Sequence, residues 1–225
     1  MTKAVKEGVT YMPTIKAVLF DLDNTLLDRK ATFLRYCDHL ITFLFPPQLT
    51  QAERMEIRDF LVKADNNGYR NREDLYDRFI ALYNLPCPPD FLQAEWTALV
   101  SRESVPMPGL YECLETLSAR YPLGIITNGS GSTQNAKIDA LGIRHYFRTI
   151  RISGDCGIEK PDARIFWQAC EDLHVLPCET IFVGDHWGND IAGASDAGLR
   201  AVYLHPSENP SGVYATIKSL HALQL

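Results

Sequence analysis

Four short stretches of this chain carry residues whose types and spacing could do chemistry. The first is Asp21-Leu22-Asp23-Asn24-Thr25, where two carboxylates stand two residues apart after an apolar run, Ala17-Val18-Leu19-Phe20. If the chain stays extended through Asp21, both side chains point to one side, because a strand alternates its faces with period two. Carboxylates crowded in this way repel, and a cation or a shared proton makes the pair tolerable. The plainer alternative is a strand ending in an acidic turn, since Asp and Asn readily bond their own backbone. The second stretch, Thr127-Asn128-Gly129, offers a hydroxyl and consecutive N–H groups with no Cβ at Gly129, a cradle for a tetrahedral anion. Lys160-Pro161 is the third, although one lysine in a loop is usually solvated and alone weighs little. The fourth, Gly184-Asp185-His186-Trp187-Gly188-Asn189-Asp190, sets two carboxylates five apart across a turn. They could meet at one cation, or simply cap a helix.

These residues need elements to position them. Ala17–Phe20 reads as a strand buried on both faces, as in a parallel sheet. The period then becomes helical. Residues 31–45 end against Pro46-Pro47, Thr50 with Glu53 makes a capping box for 50–64, Asn71 caps 72–83, and Asp90 with Gln93 caps 90–104. Asn66-Asn67-Gly68 is a turn, and residues 105–109 (VPMPG) form a stiff linker. From residue 110 helices and strands alternate: helix 110–120, strand 123–127, helix 133–141, strand 149–153, helix 163–173, strand 180–183, helix 191–197 and strand 201–204. A last strand within 212–217 and a terminal helix over 219–225 complete the pattern. The expected fold class is α/β, a doubly wound parallel sheet with a small four-helix-bundle cap. The core domain takes residues 1–28 and 105–225, and the cap domain 29–104.

Composition narrows the partners. The chain has 225 residues, 22% of them charged, and a net charge of −6, with its Lys and Arg scattered. That balance argues against nucleic acid, whose binders carry a basic patch. No apolar stretch approaches the ~20 residues of a membrane span, and residues 1–14 show no signal-peptide core. A cytoplasmic location is expected, with the six cysteines (37, 87, 113, 156, 170 and 178) as free thiols. Ser130-Gly131-Ser132 invites a dinucleotide-binding reading, which fails because Gln134 stands where the third glycine belongs.

Taken in order, DxDxT, Thr-Asn-Gly, Lys-Pro and GDxxxxD on alternating strands resemble the haloacid dehalogenase-like (HAD) hydrolase superfamily. The resemblance runs from Lys16 to about Leu204, and the helical insertion looks like the cap of the subfamily that carries it after the first motif. What the resemblance implies is a phosphatase that works through an aspartyl-phosphate. Asp21 would be the nucleophile, and Asp23 the general acid that protonates the leaving alkoxide and then activates water. Mg²⁺ would be held by Asp21, by Asp23 through its backbone carbonyl, by Asp185, and by Asp190 directly or through a water. Thr127 and the N–H groups of Asn128 and Gly129 would hold phosphoryl oxygens, and Lys160 would neutralise charge on the transferring group and on Asp21.

The same resemblance distinguishes the readings. Haloacid dehalogenases lack the second carboxylate, because a halide leaves without a proton. Asp23 therefore favours phosphate-ester hydrolysis, with a phosphomutase as the alternative on the same residues. A receiver-type phospho-acceptor domain also uses Asp, Thr and Lys, but the long insertion between Asp28 and Val105 speaks against it. A catalytically silent binding protein is a further alternative. The expected partner is a small phosphorylated substrate, with the protein a monomer or homodimer. Asn67, Tyr69, Arg70 and Arg72 could contact the leaving group or be ordinary surface residues. His186 is expected to be exposed or to cap a helix, not to bind metal.

Overall fold

The computed structural model describes residues 13–68, 71–207 and 210–225. Tyr69 and Arg70, named above as possible leaving-group contacts, lie outside them. Six parallel strands form one sheet: β1 (Ala17–Phe20), β2 (Leu123–Thr127), β3 (Phe147–Ile152), β4 (Thr180–Gly184), β5 (Arg200–Leu204) and β6 (Ala215–Ile217). Their order is β3-β2-β1-β4-β5-β6, and all five pairings are parallel. The chain winds outward on one side of β1 and then returns to continue on the other. The strand order therefore reverses beside β1, where such sheets open a crevice at their carboxyl ends.

β1 is wholly buried, and its residues alternate between two apolar layers. Val18 and Phe20 pack with Leu114, Ile125 and Val183, while Ala17 and Leu19 pack with Ile126, Phe166 and Phe182. Both faces are covered, which explains an apolar run with no polar interruption. The helices on the sheet are α5 (Leu110–Ser118), α6 (Gly131–Ala140), the short α7 (Ser153–Cys156), α8 (Ala163–Asp172) and the short α9 (Gly193–Asp196).

Between β1 and α5 stand α1 (Arg29–Leu44), α2 (Gln51–Asp65), α3 (Arg72–Tyr83) and α4 (Pro89–Glu103). They enclose an apolar cluster of their own around Tyr36, Leu40, Leu61, Phe79 and Trp96. The two passages into and out of this bundle run side by side. Asp28 N–H donates to Val105 O at 2.8 Å, and Met107 N–H donates to Leu26 O at 2.9 Å. A buried, bidentate ion pair ties the bundle together near the joint: Arg29 at the start of α1 donates to both oxygens of Asp65 at the end of α2, at 2.7 and 2.9 Å. Asn66 and Asn67 follow in left-handed conformations (φ 47° and 54°), and Gly68 (φ 85°) has Arg29 where a Cβ would stand. The turn read at these residues is thus packed on the guanidinium.

Several element ends differ from expectation. α1 starts two residues early because Asp28 accepts from Ala31 N–H at 2.8 Å. The Thr50–Glu53 capping box forms, and Asn71 caps α3. The Asp90–Gln93 box does not cap α4, which begins at Pro89 with Pro88 before it. Proline at the first helical position is preset to helical φ and gives up an N–H that has no partner there. Ser130 caps α6, which begins two residues before the expected start. The helix read over 191–197 opens as a π-helical turn, Trp187–Ala192, and the terminal helix reduces to a 3₁₀ turn, Leu220–Ala222. All six cysteines are free. Among the described residues, no helix is long and apolar enough to cross a membrane.

The joint gives a stability prediction. Removing one partner of a buried pair leaves the other charge in a poor dielectric, at a cost of about 3–5 kcal/mol. Asp65→Ala should lower unfolding stability by that order in urea titrations, and Arg29→Met with Asp65→Leu should recover much of it. A change under about 1 kcal/mol in the single variant would mean the pair does not hold the bundle.

Candidate active site

Asp21 is the residue directly after β1, fixed there by its N–H donating to Val183 O at 2.9 Å. Around it, the carboxyl ends of β2 and β4 bring Thr127 and Asp185, and the loop between α7 and α8 brings Lys160. One cavity of about 450 Å³ is lined by Asp21, Asp23, Thr127, Asn128, Gly129, Lys160, Asp185 and Asp190. Every site residue expected from the sequence thus faces a single space. Asn24, between Asp23 and Thr25, adopts a left-handed φ of 61° that suits Asn, and its side chain bonds Asp185.

Lys160 is 3% exposed and donates to Asp21 Oδ1 at 2.6 Å and Asp190 Oδ1 at 2.7 Å. Asn128 holds it in place: the Asn128 amide donates to Lys160 O, and Lys160 N–H donates to Asn128 Oδ1, both at 2.9 Å. Asp190 Oδ2 also accepts from His186 N–H at 3.0 Å. A Cβ at Gly184 would stand 2.5 Å from Asp190, so this position requires glycine. His186 caps the π-helical turn through Nδ1, which accepts from Asn189 N–H at 2.9 Å, as one of its two expected roles required. Asn67 lines the same cavity, and Arg72 an adjoining one. The N–H of Gly129, expected to face a phosphoryl oxygen, instead donates to Ser153 Oγ at 3.0 Å.

Ligand oxygens of Asp21, Asp185 and Asp190 lie within 4.8 Å of one another. Burial pushes Asp21 up to about 7; Lys160 opposes this and Asp190 adds to it. Burial, then the charges of Asp21 and Asp190, push Asp185 up to about 8. With a single lysine beside them, the crowding of Asp21 and Asp185 disfavours their charged forms, and a bound cation would relieve it. An all-oxygen, all-carboxylate donor set suits a hard divalent ion such as Mg²⁺. Burial works against the Lys160 ammonium, yet Asp190 and Asp21 hold it above the ordinary lysine value.

Asp23 goes the other way. Its carboxylate turns from that cluster toward α6, where Lys137 Nζ donates to both oxygens at 2.7 Å and Gln134 Nε2 to Oδ2 at 2.9 Å. Burial alone would raise Asp23, but Lys137, with Arg29 and the two hydrogen bonds, holds it below the usual carboxylate value. Arg29, Gln134 and Lys137 are site residues that sequence reasoning did not find. One signal existed for the last two. Gln134, Lys137, Ile138 and Leu141 form a helical stripe that buries Ile138 and Leu141, so Gln134 and Lys137 had to be buried polar groups with partners.

Comparison with known proteins identifies the family. The family model described as haloacid dehalogenase-like hydrolase matches residues 18–204. The pyrimidine 5'-nucleotidase YjjG of Escherichia coli is 35% identical over 216 residues, covering 92% of this chain and 95% of that protein. A glyceraldehyde 3-phosphate phosphatase of Methanothermobacter thermautotrophicus is 27% identical over 194 residues, covering 85% and 86%. Among solved structures, the HAD-hydrolase YfnB of Bacillus subtilis, bound to magnesium, superposes with a TM-score of 0.74 at 23% identity, covering 93% of this chain and 96% of that one. On its motifs, its fold and these matches, the chain belongs to the haloacid dehalogenase-like hydrolases.

Proposed function

We propose that this hydrolase is a Mg²⁺-dependent phosphatase acting on a small phosphorylated metabolite through an aspartyl-phosphate on Asp21. The observation that carries the reading is Asp23: a second carboxylate sits in the same cavity as Asp21, where a carbon–halogen hydrolase has no use for one. Relatives named as a pyrimidine 5'-nucleotidase and a glyceraldehyde 3-phosphate phosphatase support the same class.

In this reading Asp21 attacks phosphorus while Lys160 balances its charge and that of the phosphoryl oxygens. Thr127 and the Asn128 N–H hold those oxygens. Asp23 gives a proton to the departing alkoxide; in the second half it takes one from the water that cleaves the acyl-phosphate. Asp21, the Asp23 carbonyl, Asp185 and Asp190 would hold Mg²⁺, which when bound neutralises the phosphoryl oxygens and the crowded carboxylates. The leaving group enters the adjoining cavity of about 440 Å³, lined by Arg29, Arg72, Gln93 and Trp96 among others. That lining suits a polar, hydroxyl-bearing group.

Two expectations test this. Asp21→Asn should abolish phosphate release from a panel of metabolite monoesters, at least ~10³-fold, while circular dichroism and a cooperative thermal melt show the variant still folded. Near-wild-type turnover would remove Asp21 as nucleophile. Chelation by EDTA should stop turnover and Mg²⁺ restore it. The metal site also has a pH signature. A carboxyl whose folded pKa lies above its unfolded value gives stability that is full below the unfolded value and lost as pH rises through the folded one. For metal-free protein this places the loss between about 4 and the values near 7 and 8 of Asp21 and Asp185. Because Mg²⁺ must displace those protons, its affinity by calorimetry should rise roughly tenfold or more from pH 6 to 8, with proton release. An affinity flat across that range would contradict the site.

A further inference from the structure

We infer that Lys137 is a positioning residue for the acid–base step: it fixes the carboxylate of Asp23 so that its proton reaches the leaving oxygen. The inference rests on the phosphatase reading above and adds to it a residue from outside the four motifs. Lys137 Nζ uses its whole donor set here, giving to Asp23 Oδ1, Asp23 Oδ2 and Gln134 Oε1, each at 2.7 Å. Gln134 locks the arrangement in turn. Its amide nitrogen donates to Asp23 Oδ2 at 2.9 Å and to Thr127 Oγ1 at 2.6 Å. One glutamine therefore ties the proposed acid–base group to the hydroxyl proposed to hold a phosphoryl oxygen. Both residues are nearly buried, at 2% and 3% exposure, so the network is not a solvated surface pair.

The division of charge gives the arrangement its use. Asp21 and Asp190 share Lys160, and Asp23 is drawn to a different lysine on a different helix. Without Lys137, the Asp23 carboxylate would keep only the Gln134 amide as a hydrogen-bond partner. With it, the carboxylate plane is set by contacts to both of its oxygens and cannot rotate freely. Lys137 also stands 5.8 Å from the ring centre of Trp96 on α4, and α6 packs on that helix, so the cap bounds the network on its outer side.

The proton balance closes over a full cycle. In the first half the Asp23 carboxyl proton passes to the ester oxygen as the O–P bond breaks and the Asp21–phosphorus bond forms, leaving an alcohol, an Asp23 carboxylate and aspartyl-phosphate. In the second half water attacks phosphorus, its proton goes to Asp23, and phosphate and the Asp21 carboxylate separate. The proton taken from water is the one delivered in the next turnover. Lys137 keeps its own protons throughout and holds Asp23 in place for both transfers.

The test uses a difference that a purely structural ion pair would not produce. Dinitrophenyl phosphate has a leaving group that needs no proton, whereas glycerol phosphate has one that does. In Lys137→Met the ratio of kcat/KM for the aryl ester to that for the alkyl ester should rise at least ~10-fold, through loss of kcat on the alkyl ester. Both values come from one preparation, so the ratio is independent of the folded fraction. Lys137→Arg, which keeps a cation with several donors, should return the ratio toward wild type. If Lys137→Met does not fold, Gln134→Leu, which removes the lysine's anchor, is read in the same way. A ratio within about twofold of wild type in the folded variant overturns the inference while the phosphatase reading stands. Wild-type protein that releases phosphate from neither of these esters nor any ester of the metabolite panel, with Mg²⁺ present, overturns the phosphatase reading itself.

Discussion

The site depends on how two buried lysines hold three of its four carboxylates. Lys160 holds Asp21 and Asp190, Lys137 holds Asp23, and Asp185 is left to the open cavity with Asn24 beside it. Placing several acids in a buried crevice is expensive unless each has a cation or hydrogen bonds. The fold supplies those partners from the loop between α7 and α8 and from α6. The remaining imbalance, near Asp21 and Asp185, is what the proposed divalent ion would relieve. The neighbouring acids Asp21 and Asp23 are pushed in opposite directions as a result.

The sheet order explains why these groups can meet. β1 lies at the point where the winding reverses, so loops after β1, β2 and β4 converge on one crevice. Residue choices at the strand ends follow from crowding. Gly184 leaves room for Asp190, and the bend after β1 uses Asn24 in a left-handed conformation. Above the crevice, the bundle is anchored where Arg29 meets Asp65, and Arg29 also lines the cavity. The residue that steadies the cap therefore contributes positive charge to the site as well. Closure of such a cap is a common means of excluding water during phosphoryl transfer.

Much of this was legible in the sequence because local rules were obeyed. The uninterrupted run at Ala17–Phe20 marked a central strand, the Thr50–Glu53 box marked a helix start, and the ordered motifs placed Asp21, Thr127, Lys160 and Asp185 at strand ends or in the loops between strands. What escaped was long-range. Lys137 lies 114 residues from Asp23, and Arg29 lies 36 from Asp65, so no local pattern pairs them. Gln134 entered the sequence reading only as a missing glycine, when its role is to connect Asp23 with Thr127. At α4 a strong local signal was overridden: Pro88-Pro89 preset the helix start and left the Asp90–Gln93 box unused.

The central claim is that Asp21 carries the phosphoryl group. The most direct measurement is rapid acid quenching during turnover of a phosphate monoester with Mg²⁺, followed by hydride reduction and peptide mass spectrometry. The account predicts that aspartate is converted to homoserine at residue 21 and at no other carboxylate. Modification at a different residue, or none at any quench time while phosphate is being released, would contradict it.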